Sequence, residues 1–95
     1  MNIDVLRREI DGIDDRLLEL FQRRMAIAKE IGQCKKEKAL PVRNAERERE
    51  ILSRLCETAP PELAEYVRTL FTSIFEICIN YQKESATNQH EPTRT

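Results

Sequence analysis

The sequence has little of what many active sites are built from. Only two of its 95 residues are glycine and four are proline. That excludes a glycine-rich loop cradling a phosphate and leaves few points where the chain can turn sharply. The single histidine, His90, stands in a polar C-terminal stretch, so a histidine-based zinc site or a Ser-His triad has almost no material. Three cysteines, Cys34, Cys56 and Cys78, are odd in number, far apart and never spaced as CxxC. Each falls on or beside an apolar stripe, and we expect three reduced, mostly buried thiols in a cytoplasmic protein. Lys and Arg number 16 against 17 Asp and Glu, a net charge of −1, so no overall basic field exists to hold nucleic acid. The N-terminal MNIDVLRREID lacks an apolar signal core, and no run reaches membrane-spanning length.

What is present is charge interleaved with apolar residues, 35% and 40% of the chain. That balance predicts an all-α protein whose helices carry long polar faces. The stretch from Leu6 to Cys34 organises it. Leu6, Ile10, Ile13, Leu17, Leu20, Arg24, Ile27, Ile31 and Cys34 recur at steps of 4 and 3, the spacing of a coiled-coil-like helical stripe. One member, Arg24, is charged. A guanidinium does not shed its proton on burial, so it needs an anion from the protein or from a ligand.

The pattern predicts a first helix from about Asp4, as a partial N-cap, to about Lys38, ended by Pro41. At ~1.5 Å per residue it is roughly 50 Å long, too long for any compact monomer of this size, so a two-fold dimer is expected. Asn44 should cap a second helix ending near Thr58. Pro60-Pro61 should start a third, striped by Leu63, Val67, Leu70, Ile74, Ile77 and Tyr81 and broadened by Phe71, Phe75 and Cys78. Residues 1–85 form one three-helix domain (long, short, medium), and 86–95 read as a disordered polar tail.

Several polar residues resist a purely structural account. Lys35 lies 11 residues beyond Arg24, within ~20° of the same face and about 16 Å along the axis. The two cations could clamp a small dianion between them; the bland readings are a snorkelling lysine and a salt bridge from Arg24 to a neighbouring glutamate. Arg7 is some 25 Å from Arg24 in the same helix, yet the Arg7 of an antiparallel partner could come alongside it. Glu48 falls on the inward side of the alternating run Arg43 to Glu50, and Gln82 follows Cys78 by one turn. Together they describe cations, a carboxylate and an amide in an apolar interior without an obvious nucleophile. Such a set suits charge placement and ligand shape rather than covalent attack.

The segments Leu6-Arg7 with Ile10 and Ile13-Asp14, Arg23-Arg24, Ile31-Gly32-Gln33-Cys34-Lys35 and Pro41-Val42-Arg43-Asn44-Ala45-Glu46-Arg47-Glu48 resemble the all-helical chorismate mutases. A looser match runs through Leu70-Phe71 and from Glu76 to Gln82. The resemblance implies an intertwined homodimer converting chorismate to prephenate by an intramolecular [3,3] rearrangement, without cofactor or metal. By position, Arg24 and the partner chain's Arg7 would hold the two carboxylates. Lys35 and Gln82 would reach the ether oxygen, and Glu48, assisted by the backbone around Arg47, would take the ring hydroxyl. Two residues depart from the usual pattern: Asn44 stands where many members carry Asp, and Cys78 where a hydroxyl often binds a carboxylate. The alternatives are an isochorismate pyruvate-lyase on the same scaffold and a non-catalytic helical dimerisation module. The length leaves no room for a fused dehydratase, dehydrogenase or effector-binding domain, so a freestanding chain is expected.

Overall fold

The computed structural model describes residues 2–88; Met1 and residues 89–95, with His90 and most of the expected tail, lie outside them. Helix α1 spans Ile3–Glu37, α2 spans Ala45–Thr58, and a 3-10 turn at Pro61–Leu63 leads into α3, Ala64–Asn88. The all-α, long–short–medium order expected from the periodicity is what the chain adopts. Among the described residues, no helix is long and apolar enough to cross a membrane.

The helix ends differ instructively from the sequence expectation. Asn2, not Asp4, caps α1: its side chain accepts the Asp4 N–H at 2.8 Å. Asp4, inside the first turn, favours the positive end of the helix dipole and lies 3.8 Å from Arg7. At the other end the helix stops before Pro41 can act. Leu40 N–H donates to the Lys35 carbonyl at 2.8 Å and Ala39 N–H to the Lys36 carbonyl at 3.2 Å. These are the paired bonds of a Schellman motif, which requires a left-handed residue between them. Here that residue is Ala39, with φ 54°. Without a glycine there, the sequence carried no sign of this stop. Pro41 only prevents resumption. Asn44 caps α2 as expected, its Oδ1 accepting the Arg47 N–H at 3.0 Å. The third helix continues to Asn88, past the boundary expected at residue 85.

The chain is a thin slab of 54 × 37 × 14 Å. Its long dimension is the length of α1, and its short one little exceeds a single helix, about 10–12 Å with side chains. The radius of gyration is 17.1 Å, against ~12 Å for a compact chain of this length. α3 packs across both α1 and α2. Among the described residues, only Ala28, Phe75, Cys78, Ile79 and the polar Gln82 are buried. The buried stripe of α3 runs through Phe75, Cys78 and Gln82, so the residues expected to broaden the stripe lie deepest and Ile74 and Tyr81 are half-buried beside them. Leu70 and Ile77 remain exposed; α3 is apolar around so much of its girth that periodicity alone left its inward side ambiguous.

Leu6, Ile10, Ile13, Leu17, Leu20, Ile27 and Ile31 are all exposed, at 39–58%. A stripe this long and apolar marks an interaction surface. The thiols also divide, Cys78 buried, Cys56 half-buried and Cys34 exposed, so the expectation of mostly buried thiols fails for Cys34. It lies near the C-terminal end of α1, between Ile31 and Lys35 of the cleft wall, with its own side chain turned to solvent.

A left-handed alanine costs roughly 1 kcal/mol that glycine does not. Ala39→Gly should raise stability by about 0.5–1 kcal/mol, part of the gain being offset by the freer unfolded chain. Urea unfolding at fixed protein concentration measures it, and an unchanged or lower midpoint would contradict the motif assigned here.

Candidate functional site

A cleft of about 310 Å³ opens where α1, the α1–α2 loop, α2 and α3 converge. Its walls carry Arg24, Lys35, Asn44, Arg47, Glu48, Cys78 and Gln82 together with apolar residues including Ile27, Ile31 and Phe75. Seven of the eight residues singled out in the sequence thus face one cavity. The eighth, Arg7, does not; it is exposed near the start of α1 and paired with Asp4.

Arg24 is half-buried, and no carboxylate among the described residues pairs with it. The glutamate salt bridge that a bland reading required is absent. Its Nη1 instead donates to Cys78 Sγ at 3.0 Å, and its guanidinium carbon lies 5.9 Å from the Phe75 ring centroid. A thiol is a weak acceptor and a ring face a modest partner. Both orient the guanidinium without neutralising it. Cys78 Sγ also lies 3.7 Å from Met25 Sδ, which fixes the side of Arg24 on which it sits.

Lys35 Nζ donates to the Val42 carbonyl at 2.6 Å. The Schellman turn folds the loop back and brings that carbonyl within reach, so the ammonium is held at the cleft wall with two donors to spare. Arg47 contributes differently from the sequence expectation. Its N–H is taken by the Asn44 cap, the Glu48 N–H donates to the Asn44 carbonyl at 3.1 Å, and its guanidinium lies 3.3 Å from Glu50. The backbone expected to assist Glu48 is thus already engaged within the helix start. Asn44 is first a cap, and as a neutral residue it adds no negative charge to the wall.

Gln82 is 8% exposed. Its Nε2 donates to the Ala28 carbonyl at 2.8 Å, while its Oε1 is buried without a partner. The backbone carbonyl only accepts, which decides which amide atom faces α1. The second Nε2 hydrogen remains available, and the unpartnered oxygen costs about 1–3 kcal/mol. This close approach depends on Gly32, one turn beyond Ala28 on α1. A Cβ there would lie 2.9 Å from Gln82 Cγ and 3.1 Å from its Cβ.

Sequence reasoning gave no site role to Gly32, or to Arg43, one of several arginines in an alternating run. Arg43 Nη1 lies 2.9 and 3.0 Å from the two oxygens of Glu48, and its Nη2 donates to Glu76. That hydrogen bond to Glu76 and the Glu48 charge push the Arg43 guanidinium up from its ordinary value, against partial desolvation. The cleft itself therefore holds three cations, Arg24, Lys35 and Arg47, and one carboxylate whose charge is countered from outside. Such a wall suits a small, multiply anionic ligand.

The chain is similar to known proteins over most of its length. A family model described as chorismate mutase type II matches residues 6–83. The chain is 46% identical over 50 residues to the bifunctional chorismate mutase/prephenate dehydratase of Aquifex aeolicus, 53% of this chain and 14% of that protein. It is 37% identical over 73 residues to the Escherichia coli protein of the same name, 75% of this chain and 19% of that one. It therefore spans less than a fifth of these bifunctional relatives. It is 28% identical over 78 residues to the chorismate mutase of Methanocaldococcus jannaschii, covering 82% of this chain and 77% of that protein. Among solved structures, form II of chorismate mutase from Thermus thermophilus superposes with a TM-score of 0.82 at 33% identity, covering 85% of this chain and 93% of the other. Form I gives 0.75 at 35%.

The crossing at Gly32 is open to a direct test. Gly32→Ala should destabilise the protein by roughly 1–3 kcal/mol, the usual effect of overpacking a close contact. Thermal unfolding at constant concentration reads this, and an alanine tolerated without loss would mean that Gln82 is free to move aside.

Proposed function

Because the chain belongs to the type II chorismate mutase family, we propose that it converts chorismate to prephenate by an intramolecular [3,3] rearrangement, in the branch leading to phenylalanine and tyrosine. The observation that carries this reading is Arg24. It is a half-buried guanidinium without a counter-charge, in one cleft with Lys35, Glu48 and Gln82. A dianionic substrate supplies what the protein withholds.

The reaction breaks the ether C–O bond and forms a C–C bond within one molecule, so it needs no nucleophile. Cleavage runs ahead of bond formation, and negative charge grows on the ether oxygen. Donors already in place there stabilise the transition state more than the ground state. Lys35 supplies one from its unused hydrogens and Gln82 another from the amide hydrogen not spent on Ala28. Arg24 takes a carboxylate in the forked geometry that guanidinium favours. Glu48 accepts the ring hydroxyl. Holding both carboxylates selects the compact conformer and removes part of the entropic barrier.

The second carboxylate calls for a further cation, since Lys35 serves the ether oxygen, Arg47 is paired with Glu50 and the chain's own Arg7 is ~25 Å along α1 from Arg24. In the reading proposed here, two chains pair through the exposed apolar stripe of α1, and each donates Arg7 to the other's cleft. The stripe's exposure and the slab-like protomer support that pairing. The cytoplasm, with its reduced thiols and its biosynthetic substrates, is the compartment that fits.

Purified protein given chorismate should yield prephenate; with isochorismate, pyruvate release should be negligible. Arg7→Ala and Arg24→Ala homodimers should both be nearly inactive. Mixed in equal amounts and allowed to exchange, they should recover about a quarter of wild-type activity, because half the dimers are mixed and each carries one intact site. No recovery after demonstrated exchange would rule out Arg7 in trans.

Wild-type activity should persist from neutral to mildly alkaline pH, since Gln82 donates without needing a proton. In Gln82→Glu the carboxyl faces the Ala28 carbonyl in a buried setting, which favours its protonated form and raises its pKa. That variant should be active at acid pH and lose activity as pH rises and the carboxyl ionises. A pH profile of kcat/KM parallel to wild type would count against Gln82 as a donor.

A further inference from the structure

Arg43 lies outside the cleft, in the loop between α1 and α2, yet it holds one of the cleft's walls. Its Nη1 donates to both oxygens of Glu48, at 2.9 and 3.0 Å, and its Nη2 to Glu76 on α3. One guanidinium thus joins the loop, the first turn of α2 and the middle of α3. The Glu48 side chain is 21% exposed, against 43% for Arg43 and 55% for Glu76. The most shielded member of the three is the one that lines the cleft.

Exposed ion pairs contribute little to stability, so fastening the loop is a weak account of this arrangement. Its effect on Glu48 is more direct. A free glutamate side chain samples many rotamers, and one bound through both oxygens keeps a single orientation. Each carboxylate oxygen accepts one of these bonds and keeps a lone pair for another donor. The charge matters equally. An uncompensated carboxylate on the wall would repel a dianion, whereas one countered from behind can accept a hydroxyl without that penalty.

We propose that Arg43 is a positioning residue that orients and neutralises Glu48 for the substrate's ring hydroxyl, with Glu76 as the anchor that holds Arg43 in place. The inference deepens the chorismate mutase reading and rests on it.

The test is a set of variants assayed with chorismate, each checked for helicity and melting temperature. Arg43→Gln should raise KM roughly tenfold with little change in kcat, as expected for a lost charge-assisted contact that acts on binding. In a Glu48→Gln background the same substitution should add almost nothing, because its only route to substrate has been removed. Exchanging the charges, Arg43→Glu with Glu76→Arg, should restore the tie between loop and α3, and with it the melting temperature. It should leave KM raised, because Glu48 then faces a carboxylate. Recovery of KM by the exchange, or an undiminished effect of Arg43→Gln without Glu48, would overturn the proposal in favour of simple fastening. Should Arg43→Gln fail to fold, Arg43→Lys keeps the charge on a different geometry, and a wild-type KM for it would equally overturn a role in orientation. A wild type that does not turn over chorismate overturns the underlying reading as well, whereas an active wild type with an unaltered KM in Arg43→Gln overturns this one alone.

Discussion

α3 crosses α1 at Gln82, whose amide donates to the Ala28 carbonyl at 2.8 Å. Ala28 and Gly32, one turn apart, present so little side chain that an amide can lie against the helix backbone and bond to it. That contact fixes the register of the two helices. Register in turn places Phe75 and Cys78 beside Arg24. A bulkier α1 surface would push α3 outward, opening the crossing and separating Arg24 from the thiol that steadies it.

Around this crossing the charges are arranged in an order that general folding does not require. Stable interiors pair their ions, and Arg24 is left with a sulfur and a ring face. Lys35 rests on a carbonyl, which orients an ammonium without cancelling it. The carboxylate on the wall, by contrast, has its charge countered by Arg43. Arg24 and Lys35 meet no carboxylate among the described residues, whereas Arg47 is paired with Glu50 and Glu48 with Arg43, so what the cleft lacks is negative charge beside those two cations. The buried oxygen of Gln82 belongs to the same pattern: the cost of leaving it unpartnered is accepted to keep the donor end of the amide fixed.

Much of this was legible in the sequence, for reasons that can be named. Steps of 4 and 3 in long amphipathic segments define helices strongly, so their number, order and approximate ends were readable. A cation on an apolar stripe stands out, which is how Arg24 and Lys35 were found. Cleft membership of Glu48 and Gln82 followed from their helical phase. Other features leave no such trace. Ala39 adopts a conformation that glycine usually marks, and Asn2 and Asp4 are equally good caps until coordinates separate them. Which part of the broad α3 stripe lies deepest was not readable, because Leu70, Phe71, Ile74, Phe75, Ile77 and Cys78 surround the helix with apolar choices. Arg43 was hidden for the opposite reason: among Arg43, Arg47 and Arg49 in a run of alternating charge, nothing local distinguishes the arginine that reaches across to α3.

The slab form of the protomer carries a last consequence. With five of the described residues buried, most hydrophobic burial in the paired form proposed above would come with assembly, so folding and association would become one equilibrium. Its resistance to unfolding is then a property of the solution as much as of the molecule, rising with the logarithm of total protein. In a dilute cell extract, the loss of partner and the loss of structure would be the same event.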